Sequence, residues 1–518
     1  MTMIGQILFI NAYLVGRAAG LHAVLVEGGR IAQIAEGEGR VIQLSDGAEV
    51  VDCRLSATSS LWISPGMVDW HTHQMLNAVA SHRLHLDQAT SAQQALDMVA
   101  LALDDPRYSP ERELNFVAVN MRNGSWTDEE RMCRESLDAL SPDRPLYLVY
   151  NGYHSICCNT LGLERVGLRV EDHPDGMLFE QLAFKVGGEL SNVGDEVLDQ
   201  WIFDEAKYAA SLGVVEVVDL EMSHNLAHWQ RRCAKGFNTL RVHIGFYDEH
   251  LDDAISLGLR SGDPIPDCHG YILAGPYKIV TDGSLGSQTA FCHDVYPGTT
   301  NHGVCVYSPP ALADMIARGV RHDFRMAIHA IGDRANHLVL ETLAAGSVPR
   351  LRQGSTIEHA QLLDLNDLKL FADLGLVASI QPCHLVDDRE LCHKFWPGRE
   401  GRAYAFKSIV DAGIPIRLGS DAPVAPLHPW EAIAVAISRA GENDHSPFCA
   451  EQIIDVETAF KASTCNAKSH IGQGERADIC LLTANPLQCD ATALRAILCK
   501  GTLLQGAWTH RDLPGTPL

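Results

Sequence analysis

Five short apolar segments, spread along the chain in fixed order, each carry a residue able to bind a metal at or near the end of a strand pattern. They lie at 68–73 (His71, His73), 277–280 (Lys278), 326–329 (His329), 356–359 (His359) and 417–421 (Asp421). In that order, strands running parallel can gather four imidazoles, an amine and a carboxylate round a metal centre on one side of a barrel. That arrangement constrains the fold more than any compositional property.

The surrounding sequence alternates accordingly. Strand patterns at 213–218, 239–244 and 376–380 and helical patterns at 335–343, 365–374, 404–410 and 430–438 fill the intervals. Repeated strand–helix units favour a parallel sheet closed as a barrel, with an open doubly wound sheet as the competitor. Runs at 6–10, 23–26 and 30–34, and again at 477–482 and 496–499, read as short strands broken by turns. The expected organisation is therefore a small β domain from both termini (1–62 and 470–518) around a barrel at 63–469. A stretch at about 75–208, with a helical segment at 92–103, interrupts the rhythm and reads as an insertion, in part a lid.

A chain of 518 residues can bury a large core. With 41 Lys and Arg against 65 Asp and Glu, the formal charge of −24 opposes nucleic-acid or anionic-membrane binding through a general basic surface. No apolar run is long enough to span a bilayer. The 15 cysteines show no paired zinc-knuckle spacing, and Met1-Thr2-Met3-Ile4-Gly5 lacks a basic leader region, so reduced thiols in the cytoplasm are expected. A small-molecule substrate is the expected partner. Homo-oligomers are common among barrel enzymes, but no interface is legible here.

His71 and His73, two apart on a strand, project to the same face. Neutral imidazole suits zinc and its neighbours in the first transition row. Among 24 histidines a His-X-His arises by chance as well, but a turn at 64–67 leads this one into an apolar strand. His329 and His359, taken singly, read as satisfied polar strand ends; two successive units with the same ending point to the active end of a barrel. Asp421 either caps the following turn or binds metal and moves protons to and from an attacking water. Lys278 as an ammonium would repel a cation and would serve an ion pair. As a carbamate formed with carbon dioxide it would offer two oxygens to a metal pair roughly 3.5–4 Å apart.

These segments resemble the amidohydrolase superfamily, and within it the YtcJ-like branch that includes N-substituted formamide deformylases. The matching text is Pro-Gly-Met-Val-Asp-Trp-His-Thr-His at 65–73 and Tyr-Lys-Ile-Val-Thr-Asp-Gly-Ser-Leu-Gly-Ser at 277–287. It continues with His-Ala-Ile-Gly-Asp-Arg-Ala at 329–335, Ile-Glu-His-Ala at 357–360, Gly-Ser-Asp-Ala-Pro-Val at 419–424 and Glu-Arg-Ala-Asp-Ile at 475–479. The resemblance implies a distorted (β/α)8 TIM barrel with a small β-sandwich from both termini. It implies one or two divalent metals, zinc by expectation, with His71 and His73 on the more buried ion and carbamylated Lys278 as bridge. His329 and His359 would hold the second ion, and Asp421 would be ligand and general base. Metal-bound hydroxide would then cleave a non-peptide C–N bond of an amide or formamide.

The chain departs from the branch at Asn151-Gly152-Tyr153-His154-Ser155, one residue longer than the usual Asp-Gly-His-Ser-like segment. His154 is still expected to bind substrate or stabilise an oxyanion, against the reading of a surface-loop histidine. Trp126 is expected at the pocket, or else in a core. His384, in Gln381-Pro382-Cys383-His384 after the seventh strand, is expected to face substrate.

The alternatives are a mononuclear deaminase of a ring amine and a non-catalytic metal-binding regulator. Related deaminases place a glutamate shortly after the later histidine, whereas Ala-Ile-Gly-Asp follows His329. A regulator's structural site would be closed, with no position for water. A nucleotide-binding dehydrogenase is disfavoured, since no G-x-G-x-x-G follows an early strand.

Overall fold

Eight parallel strands form the centre of the structure, a computed structural model that describes residues 5–18, 20–37, 44–45, 47–56, 58–110, 114–122, 126–346, 348–442 and 446–513. They are β1 (Met67–Thr72), β2 (Val214–Asp219), β3 (Arg241–Phe246), β4 (Ile272–Val280), β5 (Met326–Ala330), β6 (Thr356–His359), β7 (Val377–Ile380) and β8 (Ile416–Leu418), paired in sequential order. Closure comes just past the strand ends, where Thr72 bridges Ala422 in parallel and Asp421 N–H donates to the His71 carbonyl at 2.7 Å. Every residue of β2, β5, β6 and β7 is buried, as expected of strands covered on both faces. These strands, polar residues included, thus became barrel staves rather than half-exposed ribbons.

The stretch after β1 forms a five-stranded sheet of its own. Its order is Met177–Phe179, Ser155–Cys158, Leu146–Tyr150, Phe116–Met121, Leu84–His85. One face packs on Ala92–Leu103 and Arg134–Leu140, the other on Gln181–Leu190, giving two separate small cores. The helix Asp195–Ser211, at the end of the expected insertion, instead buries Leu198, Ile202, Ala206 and Ala209 in the barrel core. That three- and four-residue spacing forms a single apolar stripe. The helix Gln74–Ala80 after β1 also buries Ala78 and Val79 in the barrel core, so the chain leaves the barrel after it and rejoins at Asp195–Ser211.

Both termini build one further sheet. Trp62–Pro65, just before β1, pairs antiparallel with Ile479–Leu482, which continues into Cys499–Leu504 and Ala507–Arg511. On the other side Trp62–Pro65 meets Ile7–Leu14, followed by His22–Glu27 and Arg30–Glu36. Phe9, Val24, Ile63, Ile479, Leu481 and Leu503 share its core. The strand expected at 496–499 begins only at Cys499, because Asp490 caps a short helix, Ala491–Arg495, through Ala493 N–H. Buried Arg241 on β3 ties this domain to the barrel, reaching Glu216 of β2 at 2.9 Å and Asp478 at 2.8 Å. Among the described residues no helix is long and apolar enough to cross a membrane.

Candidate metal centre

The C-terminal ends of the barrel strands open into a cavity of about 550 Å³. Its floor includes His71, His73, Lys278, His329, His359 and Asp421, so all six expected ligands face one space. The insertion supplies its other wall through Tyr150, Tyr153, His154, Met177 and Phe184.

Local backbone geometry brings the donors together. His71 lies within β1, while His73 lies just past it, opening the helix Gln74–Ala80. Asp421 lies three residues beyond β8 in the left-handed region (φ 58°), and His359 ends β6 at φ 70°. Such conformations cost on the order of 1–3 kcal/mol each outside glycine and persist where the surroundings enforce them. Here the enforcement is visible. Asp69 accepts from Ser420 N–H at 2.9 Å and His71 N–H at 3.2 Å, locking the turn after β8 onto β1. Burial pushes the Asp69 carboxyl up to about 6. A side chain at Gly419 would place its Cβ 2.7 Å from His71 Cβ, so only glycine allows this approach.

Asp421 is the hub. Its Oδ1 lies 3.1 Å from His73 Nε2 and 3.3 Å from His71 Nε2, and its Oδ2 lies 3.7 Å from His384 Nε2. Burial would raise its pKa, but His71 and His73 outweigh it and hold the carboxyl well below the usual range. His71 is pushed down to about 4 by burial and then by the Lys278 charge. Lys278 Nζ, 3.4 Å from His71 Nε2, is itself lowered by burial against the pull of Glu358 and Asp421. The ring centroids of His329 and His359 are 4.5 Å apart.

The donor set fits a divalent metal. Glu358 Oε2 sits 2.7 Å from His71 Nδ1, so this carboxylate accepts the Nδ1–H and leaves the lone pair on Nε2, with Lys278 Nζ 3.4 Å away. That lone pair faces the Asp421 oxygen at 3.3 Å, acceptor against acceptor, an arrangement a shared cation satisfies. One atom each from His71, His73 and Asp421 lie within 4.8 Å of one another, as do those from His359, His384 and Asp421.

The remaining expectations divide. His154 lines the cavity with Nδ1 2.9 Å from Glu180, which in turn accepts from Thr289 at 2.7 Å. His384 also faces the cavity, at the start of the helix after β7. Trp126 does not: it is buried among the helices of the insertion, its indole N–H on the Ala89 carbonyl at 3.3 Å. Its large apolar ring found a core to fill, and the core reading of this tryptophan is the right one.

Three residues went unassigned in the sequence. Glu358 orients His71. Asp282 accepts from Ile331, Gly332 and Phe291 N–H at 2.8–3.0 Å, fixing the loops after β4 and β5. Glu221, buried after β2, holds its carboxylate on Leu76 and Met222 N–H, and burial raises it. The Asp that follows Thr281 and the Glu before His359 were both within the matching motifs, and for Glu358 adjacency to His359 was the available signal.

A model described as the amidohydrolase family matches residues 61–510. The chain belongs to the amidohydrolase family. Within it, this amidohydrolase is similar to YtcJ of Bacillus subtilis (strain 168), at 24% identity over 85% of this chain and 88% of that one. It is 25% identical to the N-substituted formamide deformylase of Arthrobacter pascens, across 98% of each chain. The fold is shared with an uncharacterized metal-dependent hydrolase from Pyrococcus horikoshii OT3: TM-score 0.73, 20% identity, 94% of this chain and 99% of that one. The YtcJ-like resemblance and the barrel-plus-terminal-sheet architecture both hold. Family and donor set together support metal-dependent hydrolysis.

Proposed function

We propose that this protein hydrolyses a non-peptide C–N bond of a small amide or formamide. The observation that carries this reading is Asp421 Oδ1 within 3.1–3.3 Å of two histidine Nε2 atoms at the floor of an open cavity. The full-length likeness to an N-substituted formamide deformylase supports the bond type. His71, His73 and Asp421 would hold a divalent ion, zinc by preference for imidazole and carboxylate donors. When bound, such an ion lowers the pKa of water towards ~7 and polarises a carbonyl oxygen.

The chain's own groups then have distinct tasks. Asp421 receives the proton as water adds to the carbonyl carbon, and returns it to the nitrogen as the C–N bond breaks. Glu358 keeps His71 in one tautomer throughout. Burial favours the neutral amine of Lys278, the form that adds to carbon dioxide, so a carbamate there is part of the proposal. His154, braced by Glu180, meets the substrate from the insertion side.

The test is metal analysis of the purified protein, followed by a panel of N-formyl and N-acyl amines on the same sample. Chelation should abolish turnover and re-addition restore it. Metal binding without turnover of any amide, urea or lactone would reject the proposal.

A further inference from the structure

His154 sets its Nδ1 against Glu180, 2.9 Å from Oε2. Glu180 does not line the cavity, so it stands behind the imidazole rather than beside it. Its other oxygen, Oε1, accepts from the Thr289 hydroxyl at 2.7 Å, and that hydroxyl in turn accepts from Ser284 N–H at 3.0 Å. Burial alone would raise the Glu180 carboxyl, but His154 and Thr289 hold it at about 2, so both oxygens are acceptors at neutral pH. The Nδ1 proton therefore has one fixed destination. Among the described residues nothing hydrogen-bonds His154 Nε2, and that nitrogen is not enclosed, so it opens on the cavity the ring lines.

The backbone enforces this placement. Ser155 and Phe179 face each other across the antiparallel strands Ser155–Cys158 and Met177–Phe179. One step beyond that pair, Glu180 N–H donates to the His154 carbonyl at 2.9 Å. Glu180 has φ 49° and ψ −125°, a conformation that residues other than glycine rarely adopt and that persists where the surroundings enforce it. The helix Gln181–Leu190 begins directly after it, and Phe184 of that helix meets the His154 ring edge-on, centroids 4.9 Å apart. Ser284 and Thr289 lie in the loop after β4, the strand that carries Lys278. A strained residue, a held ring and a barrel loop thus converge on one carboxylate.

We infer that Glu180 is a positioning residue that fixes His154 in the Nδ1–H tautomer, so that Nε2 offers a lone pair to the N–H of the scissile amide. This rests on the hydrolytic reading above and deepens it to a substrate class: amides that keep one hydrogen on nitrogen, in preference to N,N-disubstituted ones. With the N–H turned to His154, the nitrogen's developing lone pair is directed elsewhere, free to take the proton that Asp421 returns. A disubstituted amide leaves Nε2 without its partner, and a site built round a hydrogen bond discriminates against ligands that cannot make it.

The competing role for Glu180 is a strut between the insertion and the loop after β4, with no influence on the ring. The full-length wild type, Glu180→Gln and Thr289→Val would be compared, with circular dichroism to check folding. Isotopically labelled histidine nitrogens, read by NMR with His154→Gln to assign the signal, report the tautomer of the neutral ring. Wild-type Nε2 should be unprotonated; in Glu180→Gln the tautomers should mix, because a carboxamide can donate as well as accept. A wild-type proton on Nε2, or an unchanged tautomer in Glu180→Gln, would overturn the inference. Paired N-alkyl and N-alkyl-N-methyl formamides give the second readout. The wild type should favour the N–H member by at least about 10-fold in kcat/KM, and Glu180→Gln should bring that ratio towards unity. Thr289→Val, which loosens the strut and leaves the His154 contact, should keep most of the ratio. Equal ratios in the two variants, or no wild-type preference, would overturn the N–H contact. A wild type that turns over neither member would sink the hydrolytic reading and the N–H contact with it, while the tautomer would still decide what Glu180 does.

Discussion

Glu358 Oε2 and His71 Nδ1 are 2.7 Å apart, both side chains buried at the barrel mouth. Burial alone would raise the Glu358 carboxyl, but His71 and Lys278 hold it at about 2, so it is an obligate acceptor at neutral pH. Thr356 donates to its other oxygen, leaving the carboxylate little freedom. The consequence is a histidine whose outward nitrogen is always a lone pair.

Glu358→Gln should therefore weaken metal binding about 10–100-fold, the usual cost of losing an outer-sphere carboxylate. Isothermal titration with zinc after chelation checks this. Wild-type affinity in the variant would mean that Glu358 does not set the His71 tautomer.

Asp421→Asn should reduce kcat by at least about 10²–10⁴-fold, the range ascribed to positioned acid–base groups. The amide keeps the side chain's shape, and the backbone bond from Asp421 N–H to His71 remains, so circular dichroism should be unchanged. Full turnover on an amide found by the panel would remove Asp421 from proton transfer.

Trp126→Phe should lower stability by roughly 1–3 kcal/mol, through lost packing and the lost bond to Ala89. Because the ring lies away from the cavity, KM and kcat should not move. A KM shift without a change in denaturation midpoint would return Trp126 to the pocket.

Glu216 links barrel and terminal sheet through Arg241. Burial would raise its carboxyl, yet neighbouring His243 and Arg241 outweigh this and hold it well below the ordinary value. A depressed folded-state pKa contributes stability that is complete above the unfolded value of ~4.3 and is lost as pH falls below it. The Tm of the wild type should accordingly drop below about pH 4.3. Glu216→Gln should be less stable at pH 7 by roughly 1–3 kcal/mol, and that gap should close as pH falls. A gap independent of pH between 3 and 7 on the ~4.3 scale would show that ionisation of Glu216 is not the source.

Much of the architecture was legible because period and order are local properties. Short β-branched and apolar stretches such as those of β2, β5 and β7 read as strands buried on both faces. The helix Ala92–Leu103 follows from its own spacing and its Ser91 cap on Gln94 N–H. His71, His73, Lys278, His329, His359 and Asp421 stood out because each falls at or near the end of such a run. The sequence by itself thus named which residues could converge. Which of them face one another was decided only by the closed barrel, since burial and direction depend on partners hundreds of residues away. Glu358 and His71 meet across 287 positions, and Gly419 matters only because β8 closes onto β1. Trp126 and His384 show the same division from the other side: an aromatic ring and an imidazole each permit several roles, and the surroundings that choose among them exist only in three dimensions.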